Sequence, residues 1–346
     1  MSTPDAPTLS EWKRGVTSNA AAICRELPHD IDVSTVQPVT TSSWNALLRV
    51  GSHCVKVMNE ATVAVRWTLD ELDVIGRTLA ALKMRGYPYV LPPVRLHEGR
   101  YAARCAGYTV MVYPWCSDFA SASATDPHSA FADHGPDVLC ELHRVGQAIL
   151  AESNGAADSS LVRRQSPARW IAQSDQLWQK SIRTTDSPDT RDRLQKAQET
   201  SHEIARRFPG FFAPADQDAT VLHGDFRPEN VLVIRDEIRL VHDFDFMRPG
   251  WPEEDVAYAA LYFSGPPWFA GPREWARCIR FVAAYNQAAR KAGCGGLRRE
   301  ILEPAMYWVV LRELSLSFEL PAEVAGRCDL LDDLAACIPT VIAECV

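Results

Sequence analysis

The segment from residue 223 to residue 245 constrains the fold of this chain more than any other. It opens with a polar loop, His223-Gly-Asp-Phe-Arg-Pro-Glu-Asn230, and closes with His242-Asp-Phe-Asp245. Two short apolar runs, Val231–Ile234 and Ile238–Val241, lie between them and flank an Arg-Asp-Glu turn, which predicts a β-hairpin. Because a hairpin returns the chain to its starting point, the closing carboxylates are expected beside the opening loop.

The residue types at the two ends of this hairpin indicate a particular chemistry. Asp225 and Asn230 place a carboxylate and an amide oxygen on one loop, and Asp243 adds a second carboxylate. Carboxylate and amide oxygens are suitable ligands for Mg²⁺, and a carboxylate can accept the proton of an attacking hydroxyl. The set therefore predicts phosphoryl transfer to a hydroxyl group.

Length and composition are compatible with a two-lobed enzyme. The chain has 346 residues, which is ample for two lobes, and its formal net charge of −8 argues against a nucleic-acid partner. Its ten cysteines include no CxxC pair, which favours reduced thiols and a cytoplasmic protein. No apolar run reaches the roughly 18 residues of a membrane span, so no membrane association is expected.

The hydrophobic pattern predicts an α+β fold. Residues 1–115 contain short β-like runs and one main helical stretch at about residues 62–84, which predicts an antiparallel sheet lobe. Residues 116–346 are expected to form a mostly helical lobe that carries the loop and its hairpin. The strands of the first lobe are expected at Val33–Val39, Ala46–Val50, Cys54–Met58, Val90–His97, Tyr101–Arg104 and Tyr108–Tyr113.

The motifs resemble those of the aminoglycoside phosphotransferase family, in the protein-kinase-like superfamily that also includes choline and homoserine kinases. The family's loop reads HGDxxxxN, and Gly224 matches it where protein kinases have arginine. Gly250–Ala257 resembles an Asp-Leu-Ala-like element of the family, and Leu142-His143 resembles another landmark. The resemblance implies a two-lobed kinase-like fold and a transfer, dependent on ATP (or GTP) and Mg²⁺, to a hydroxyl of a small molecule.

The resemblance also implies roles for the residues of the loop and hairpin. Asp225 matches the catalytic aspartate that orients and deprotonates the hydroxyl, and Asn230 and Asp243 match the metal ligands. Arg227 follows at the place where protein kinases have a lysine near the transferred group. It would offset charge on that group, or else lie at the surface.

Three further residues would support the catalytic loop. His223 matches a structural histidine, and Asp255 matches a carboxylate that buttresses the loop from the next helix. Asp255 is alternatively a helix N-terminal charge that favours the helix dipole. Asp245 would serve as a second metal ligand or as a hydrogen-bonding partner of the loop.

The first lobe is expected to bind the nucleotide. Lys56 lies centrally in the apolar strand Cys54–Met58, where burial is costly without a partner. In the kinase interpretation it contacts the α- and β-phosphates and an acid of the following helix, which is Glu71 or else Asp70 or Asp73.

Two further segments would contact the nucleotide. The phosphate loop is expected at Thr40–Asn45, where Ser42 and Ser43 replace the glycines of protein kinases. The adenine hinge is expected around Met111 and Tyr113, just before Pro114.

The acceptor pocket would come from the C-terminal helices. Its candidate residues are aromatic or acidic, as an amine-bearing acceptor would require: Trp251, Glu253, Glu254, Tyr262, Trp308, Glu313 and Glu319. The expected acceptor is an aminoglycoside or another antibiotic, and the alternative is a metabolic amino alcohol, sugar or homoserine-like compound. Weaker alternatives are a pseudokinase scaffold, a protein kinase, and a metal hydrolase that uses His223, Asp225, His242 and Asp243 as ligands.

Overall fold

The structure is a computed structural model that describes residues 8–28, 31–39, 44–59, 67–116, 127–152, 166–213, 219–318 and 321–346. The chain divides into two compact units, residues 1–123 and residues 124–346. The first contains a five-stranded antiparallel sheet and the second is mostly helical, so the predicted α+β class is confirmed.

The N-terminal unit begins with two short helices, α1 (Leu9–Ser18) and α2 (Ala20–Arg25), and continues through the sheet and helix α3 (Leu69–Met84). The sheet order is β1-β2-β3-β5-β4, and all neighbouring strands are antiparallel. The strands are β1 (Val36–Val39), β2 (Ala46–Val50), β3 (His53–Val57), β4 (Ala102–Cys105) and β5 (Tyr108–Pro114).

Apolar side chains of α1 and α2 pack against one face of this sheet. The buried cluster includes Trp12 and Ile23 from the helices and Val55 and Val57 from β3. Successive side chains of a strand point to opposite faces. Lys56 therefore lies on the face away from α1 and α2.

One predicted hairpin of this unit is wrong. The sequence pattern indicated that Val90–His97 would pair with Tyr101–Arg104, whereas β4 pairs with β5 through a tight turn at Gly107. Residues 91–96 form no strand of the sheet, although the N–H of Val94 donates to the carbonyl of Val112 in β5 (2.8 Å), and a 3-10 turn at His97–Gly99 follows them. Pro92 and Pro93 explain this difference, because neither has an N–H group with which to extend a ladder.

The C-terminal unit contains the predicted hairpin, formed by β7 (Val231–Ile234) and β8 (Glu237–Val241). A second antiparallel ladder, which the sequence did not predict, pairs β6 (Thr220–Leu222) with β9 (Arg248–Gly250). The helices of this unit are α4 (Pro127–Glu152), α5 (Pro167–Thr184), α6 (Pro188–Arg207), α7 (Pro252–Phe263), α8 (Trp275–Lys291), α9 (Arg299–Ser315) and α10 (Val324–Cys345).

The two ladders position the polar loop. Strand β6 runs directly into His223, and β7 begins directly after Asn230. Strand β9 leads into α7, whose first turn carries three acids. Within the described parts of the chain, no helix combines the length and the apolar character that crossing a membrane requires.

Candidate active site

The backbone of the polar loop is fixed by one carboxylate from α7. Asp255 is 1% exposed, and its two oxygens accept the N–H groups of His223 (2.7 Å) and Gly224 (2.8 Å). Burial alone would raise the pKa of Asp255. Hydrogen bonds from His143 and from the N–H of Gly224 outweigh burial and hold this pKa below its ordinary value. The carboxylate that was predicted to buttress the loop therefore bonds directly to its backbone.

A chain of polar side chains extends from Asp255 to α4 and α8. The imidazole of His143 faces Asp255 Oδ2 through Nε2 (3.2 Å) and the phenol oxygen of Tyr285 through Nδ1 (2.6 Å). Since the carboxylate accepts the Nε2 proton, Nδ1 is the acceptor of the Tyr285 O–H. His143 belongs to the Leu-His pair noted in the sequence. Tyr285 was missed, because a tyrosine in an amphipathic helix resembles an ordinary core residue.

Gly224 is required by the shape of the loop. Its φ is +80°, in the left-handed region that glycine tolerates best. A Cβ atom at this position would overlap the carbonyl oxygen of Phe246 and lie 2.8 Å from the Cβ of Phe246. The arginine of protein kinases therefore has no room here.

The imidazole of His223 is a structural group of the loop. Its Nε2–H donates to the carbonyl of His242 (3.0 Å), and its Nδ1 accepts the N–H of Asp225 (3.1 Å). Burial lowers its pKa, which is consistent with a neutral ring. Both ring nitrogens are engaged, so neither is available to bind a metal ion.

Asp225 is surrounded by donors. Its Oδ1 accepts the O–H of Tyr258 (2.5 Å), and its Oδ2 accepts Nδ2 of Asn230 (2.8 Å). Nε of Arg227 lies 3.3 Å from Oδ2. Burial raises the pKa of Asp225 to about 6, although Arg227, Tyr258 and Asn230 act in the opposite direction. The sequence did not identify Tyr258, because the pattern of α7 does not show which of its residues faces the loop.

Asn230 and Asp243 lie at the two ends of the hairpin. Nδ2 of Asn230 donates to both the carbonyl and the carboxylate of Asp225 (2.8 Å each), an orientation that leaves Oδ1 pointing away from Asp225. The N–H of His242 donates to the backbone carbonyl of Asn230 (2.9 Å), so the following residue, Asp243, lies near Asn230. Asp243 has a φ of +66°, and Asp245 is buried in the turn behind it.

Arg227 is 7% exposed and is enclosed by aromatic rings. Its guanidinium carbon lies 4.6 Å from the ring centre of Trp268 and 5.3 Å from that of Tyr262, and Nη1 donates to the Tyr262 hydroxyl (3.2 Å). Cation–π contacts of this kind hold a guanidinium in place. Arg227 is therefore a fixed positive charge beside Asp225 and not a surface arginine.

Three of the four acids proposed for the acceptor pocket have a positively charged partner. Glu254 forms a buried pair with Arg248 (2.5 Å) and also accepts the N–H of Trp251 (2.8 Å). Glu253 pairs with Arg298 (3.0 Å). Glu313 pairs with Arg312 (2.8 Å). Burial alone would raise the pKa of Glu313, but the positive charges of Arg312 and Arg327 outweigh this effect and lower it. Glu319 lies outside the described residues, and Trp308 is a buried core residue.

Within the N-terminal unit, Lys56 is 8% exposed on β3, and the register places it opposite Met111 of β5. Glu71 caps α3, where its Oε2 accepts the N–H of Thr68 (2.7 Å). The Tyr113 hydroxyl lies 3.6 Å from the sulfur of buried Met111. The two serines of the expected phosphate loop, Ser42 and Ser43, lie outside the described residues.

This fold and loop identify the chain as a kinase-like phosphotransferase. Residues 24–303 match the phosphotransferase enzyme (APH) family. Because the match spans most of the chain, the chain belongs to this family of enzymes, which transfer phosphoryl groups to small-molecule hydroxyls.

Solved structures show the same fold at low sequence identity. A microcompartment-associated aminopropanol kinase is 17% identical, covers 93% of this chain and 98% of its own, and has a TM-score of 0.63. An aminoglycoside phosphotransferase from Alicyclobacillus acidocaldarius is 11% identical, with coverages of 93% and 95% and a TM-score of 0.56. The amicoumacin kinase hAmiN, in complex with AMP-PNP, Ca²⁺ and Ami, is 17% identical, with coverages of 94% and 92% and a TM-score of 0.55. No curated protein sequence matches the chain significantly.

Proposed function

We propose that this enzyme transfers the γ-phosphoryl group of ATP or GTP, with Mg²⁺, to a hydroxyl of a small molecule in the cytoplasm. The observation that carries the proposal is the environment of Asp225. Its carboxylate is buried, is held by Tyr258 and Asn230, and has a pKa of about 6. A base with a pKa near the operating pH is well suited to orient a hydroxyl and accept its proton.

The metal is proposed at Asn230 and Asp243. Both are oxygen donors of the kind that Mg²⁺ prefers, and the hydrogen bonds of the Asn230 amide leave Oδ1 as its outward oxygen. Across the described residues, no group of three or more His, Cys, Asp or Glu side chains is arranged to hold a metal ion. Two protein ligands suffice for Mg²⁺ that is shared with nucleotide phosphates. When bound, the ion would neutralise phosphate charge during transfer.

The remaining roles follow from position. Arg227 lies beside Asp225 in a fixed orientation, where it would stabilise charge on the transferred group. Asp255, with His143 and Tyr285 behind it, would keep the loop in its working conformation. The proposed nucleotide-binding residues remain those of the lobe predicted at residues 1–115: Lys56, Glu71, Met111, Tyr113, Ser42 and Ser43.

Three of the acids expected in the acceptor pocket are already paired, which favours the metabolic alternative over an aminoglycoside acceptor. Recognition of a polyamine requires carboxylates that are not already neutralised, whereas Glu253, Glu254 and Glu313 each pair with an arginine. The folds that resemble this one include both antibiotic kinases and an aminopropanol kinase. We therefore propose that the acceptor is a metabolic hydroxyl compound.

A nucleotide-consumption screen tests the proposal. The enzyme would be assayed with Mg·ATP and Mg·GTP against aminoglycosides, nucleoside antibiotics, peptide antibiotics, amino alcohols, sugars and hydroxy acids, with the Asp225→Ala variant as the matched control. We expect acceptor-dependent consumption by the wild type alone. Equal consumption by both proteins, or consumption that no acceptor increases, would contradict the proposed function.

A further inference from the structure

Arg273 is a buried arginine that lacks a carboxylate partner. It is 6% exposed, and among the described residues no acid lies within salt-bridge distance of it. Its Nη1 donates to the carbonyl of Pro266 (2.9 Å), but Nε and Nη2 are buried and have no hydrogen-bond acceptor in the described part of the chain. Burial lowers its pKa to about 10, a further sign that the charge is not compensated. A buried charge in this state is costly, so its retention calls for an explanation.

The two unsatisfied nitrogens form one edge of the guanidinium. Nε–H and Nη2–H point in the same direction and match the two oxygens of a carboxylate, in the bidentate geometry that arginine makes best. Because Nη1 is fixed by Pro266 and packs against Gly265, this edge has a defined orientation. The edge is thus built to receive an anion with paired oxygens.

A series of aromatic rings connects this edge to the catalytic loop. Tyr258, which bonds to Asp225, stacks on Tyr262 with ring centres 5.9 Å apart. Tyr262 meets Phe269 edge to face at 5.5 Å, and the guanidinium of Arg273 lies 5.4 Å from the ring centre of Phe269. Tyr258 and Phe269 also meet edge to face at 5.6 Å, so the contacts between Asp225 and Arg273 run through these two rings.

The turn that covers Arg273 is strained. Trp268 and Phe269 have φ values of +59° and +60°, which bulky residues rarely adopt. Such outliers persist where the surroundings impose them, and they concentrate at ligand-binding segments. One of those constraints is Arg327, whose Nε–H donates to the carbonyl of Trp268 (3.0 Å). Since the ring of Phe269 lies 5.4 Å from the guanidinium carbon, a displacement of this turn would give a ligand access to Arg273.

The arginines around this turn differ in how their charge is balanced. Arg312 and Arg327 share Glu313, and Arg227 lies beside Asp225 and near Glu229. Among the described residues no acid lies within salt-bridge distance of Arg273, so Arg273 is the arginine whose charge an anion would balance.

We propose that Arg273 binds a carboxylate of the acceptor through its Nε–H and Nη2–H edge, so that the acceptor is a hydroxy acid. This inference rests on the proposed transfer to a hydroxyl at Asp225. It adds that the hydroxyl and the carboxylate of the acceptor are several bonds apart, because the contacts that link Asp225 to Arg273 run through the rings of Tyr258 and Phe269.

Thermal unfolding of the full, nucleotide-free chain tests the anion site without any turnover. The probes are hexanoate and hexylammonium at constant ionic strength. We expect hexanoate alone to raise the Tm of the wild type, by about 3–6 °C at ten times its dissociation constant. Arg273→Met should lose this rise and, without the probe, unfold at the wild-type temperature or above it, because it removes an unpaired buried charge.

Arg277→Met is the matched control. Arg277 lies one helical turn further on, half exposed, with Glu274 as its partner, and the hexanoate effect should persist in this variant. Arg273→Lys keeps the positive charge but lacks the two parallel N–H donors of the guanidinium. Hexanoate should therefore raise its Tm less than it raises that of the wild type. Absence of a hexanoate effect in the wild type, the same rise in Arg273→Met, or a fall in Tm of more than about 5 °C in Arg273→Met without the probe would overturn the site.

Turnover separates this inference from the proposed function. With 6-hydroxyhexanoate, 6-amino-1-hexanol and 1,6-hexanediol as acceptors, Arg273→Met should reduce kcat/KM for the hydroxy acid alone, by about 10²-fold. If hexanoate protection depends on Arg273 but no hydroxyl compound is phosphorylated, the anion site stands and the kinase proposal fails. If all three acceptors react equally well with both proteins, the kinase proposal stands and the anion site fails.

Discussion

The catalytic loop and the turn before α8 are built in opposite ways. In the loop at residues 223–230, the positive φ falls on a glycine, and the N–H groups of His223, Gly224 and Asp225 all have acceptors. In the turn, positive φ values fall on Trp268 and Phe269, and Arg273 keeps two donors unsatisfied. Nε of Arg227 in the loop also lacks a hydrogen-bond acceptor among the described residues, but Oδ2 of Asp225 lies 3.3 Å away and balances its charge, whereas no described acid lies within salt-bridge distance of Arg273. In the proposed function, chemistry belongs to the loop at residues 223–230 and acceptor recognition to the strained turn.

The strongest test of this difference between the two segments is to remove one buried charge from each. Asp255→Leu leaves the N–H groups of His223 and Gly224 and the imidazole of His143 without their acceptor. It should therefore lower the free energy of unfolding by about 3–5 kcal/mol. Arg273→Met should leave the free energy of unfolding unchanged or raise it. Denaturant titration of both variants would measure the two values. Similar losses in both would show that the segments do not differ.

Gly224 offers a second test, because its substitution should damage only the complete segment. Gly224→Ala introduces a Cβ against Phe246 at a φ of +80°. We expect a loss of about 2–4 kcal/mol in the free energy of unfolding, from overpacking and left-handed strain together. Gly293→Ala is a suitable control, because Gly293 also has a positive φ but no atom near its Cβ position, so it isolates the strain. Equal losses in the two variants would mean that the contact with Phe246 is unimportant.

The raised pKa of Asp225 predicts a smaller effect, a decrease in the stability of the wild type as the pH rises. Its folded value of about 6 lies above the ordinary value of 3.8, so between these pH values the folded state binds more protons and stability falls as the pH rises. Asp225→Asn lacks this dependence. In nucleotide-free and metal-free protein, the free energy of unfolding of the variant relative to the wild type should increase by about 2 kcal/mol from pH 4.5 to pH 7.5. A difference that stays constant with pH would refute the raised pKa.

The sequence predicted the local features of the site better than its long-range contacts. The hairpin from Val231 to Val241 forms as expected, because turn residues and apolar runs are short-range signals. The pairing of β4 with β5 was missed, although Pro92 and Pro93 marked the preceding segment as unable to join a ladder. The roles of Asp225, Asn230 and Asp243 remain predictions that the geometry supports.

Side-chain partners were the least predictable part of the site. Arg298 reaches Glu253 across 45 residues, and Tyr285 reaches His143 across 142. Neither separation follows from a local pattern, since only the packing of the helices brings these residues together. For the same reason, the acids of α7 resembled substrate ligands in the sequence. In the structure, Glu253 and Glu254 both have arginine partners.

The most direct test of the central claim is transfer of labelled γ-phosphate to the acceptor panel by the wild type and by Asp225→Ala, with nucleotide affinity measured in parallel. The claim predicts that kcat of Asp225→Ala is about 10²- to 10⁴-fold lower than that of the wild type, the contribution that a positioned general base usually makes to the rate. Nucleotide affinity should be largely retained. A folded Asp225→Ala variant that transfers label at the wild-type rate would contradict the claim that Asp225 acts on the acceptor hydroxyl.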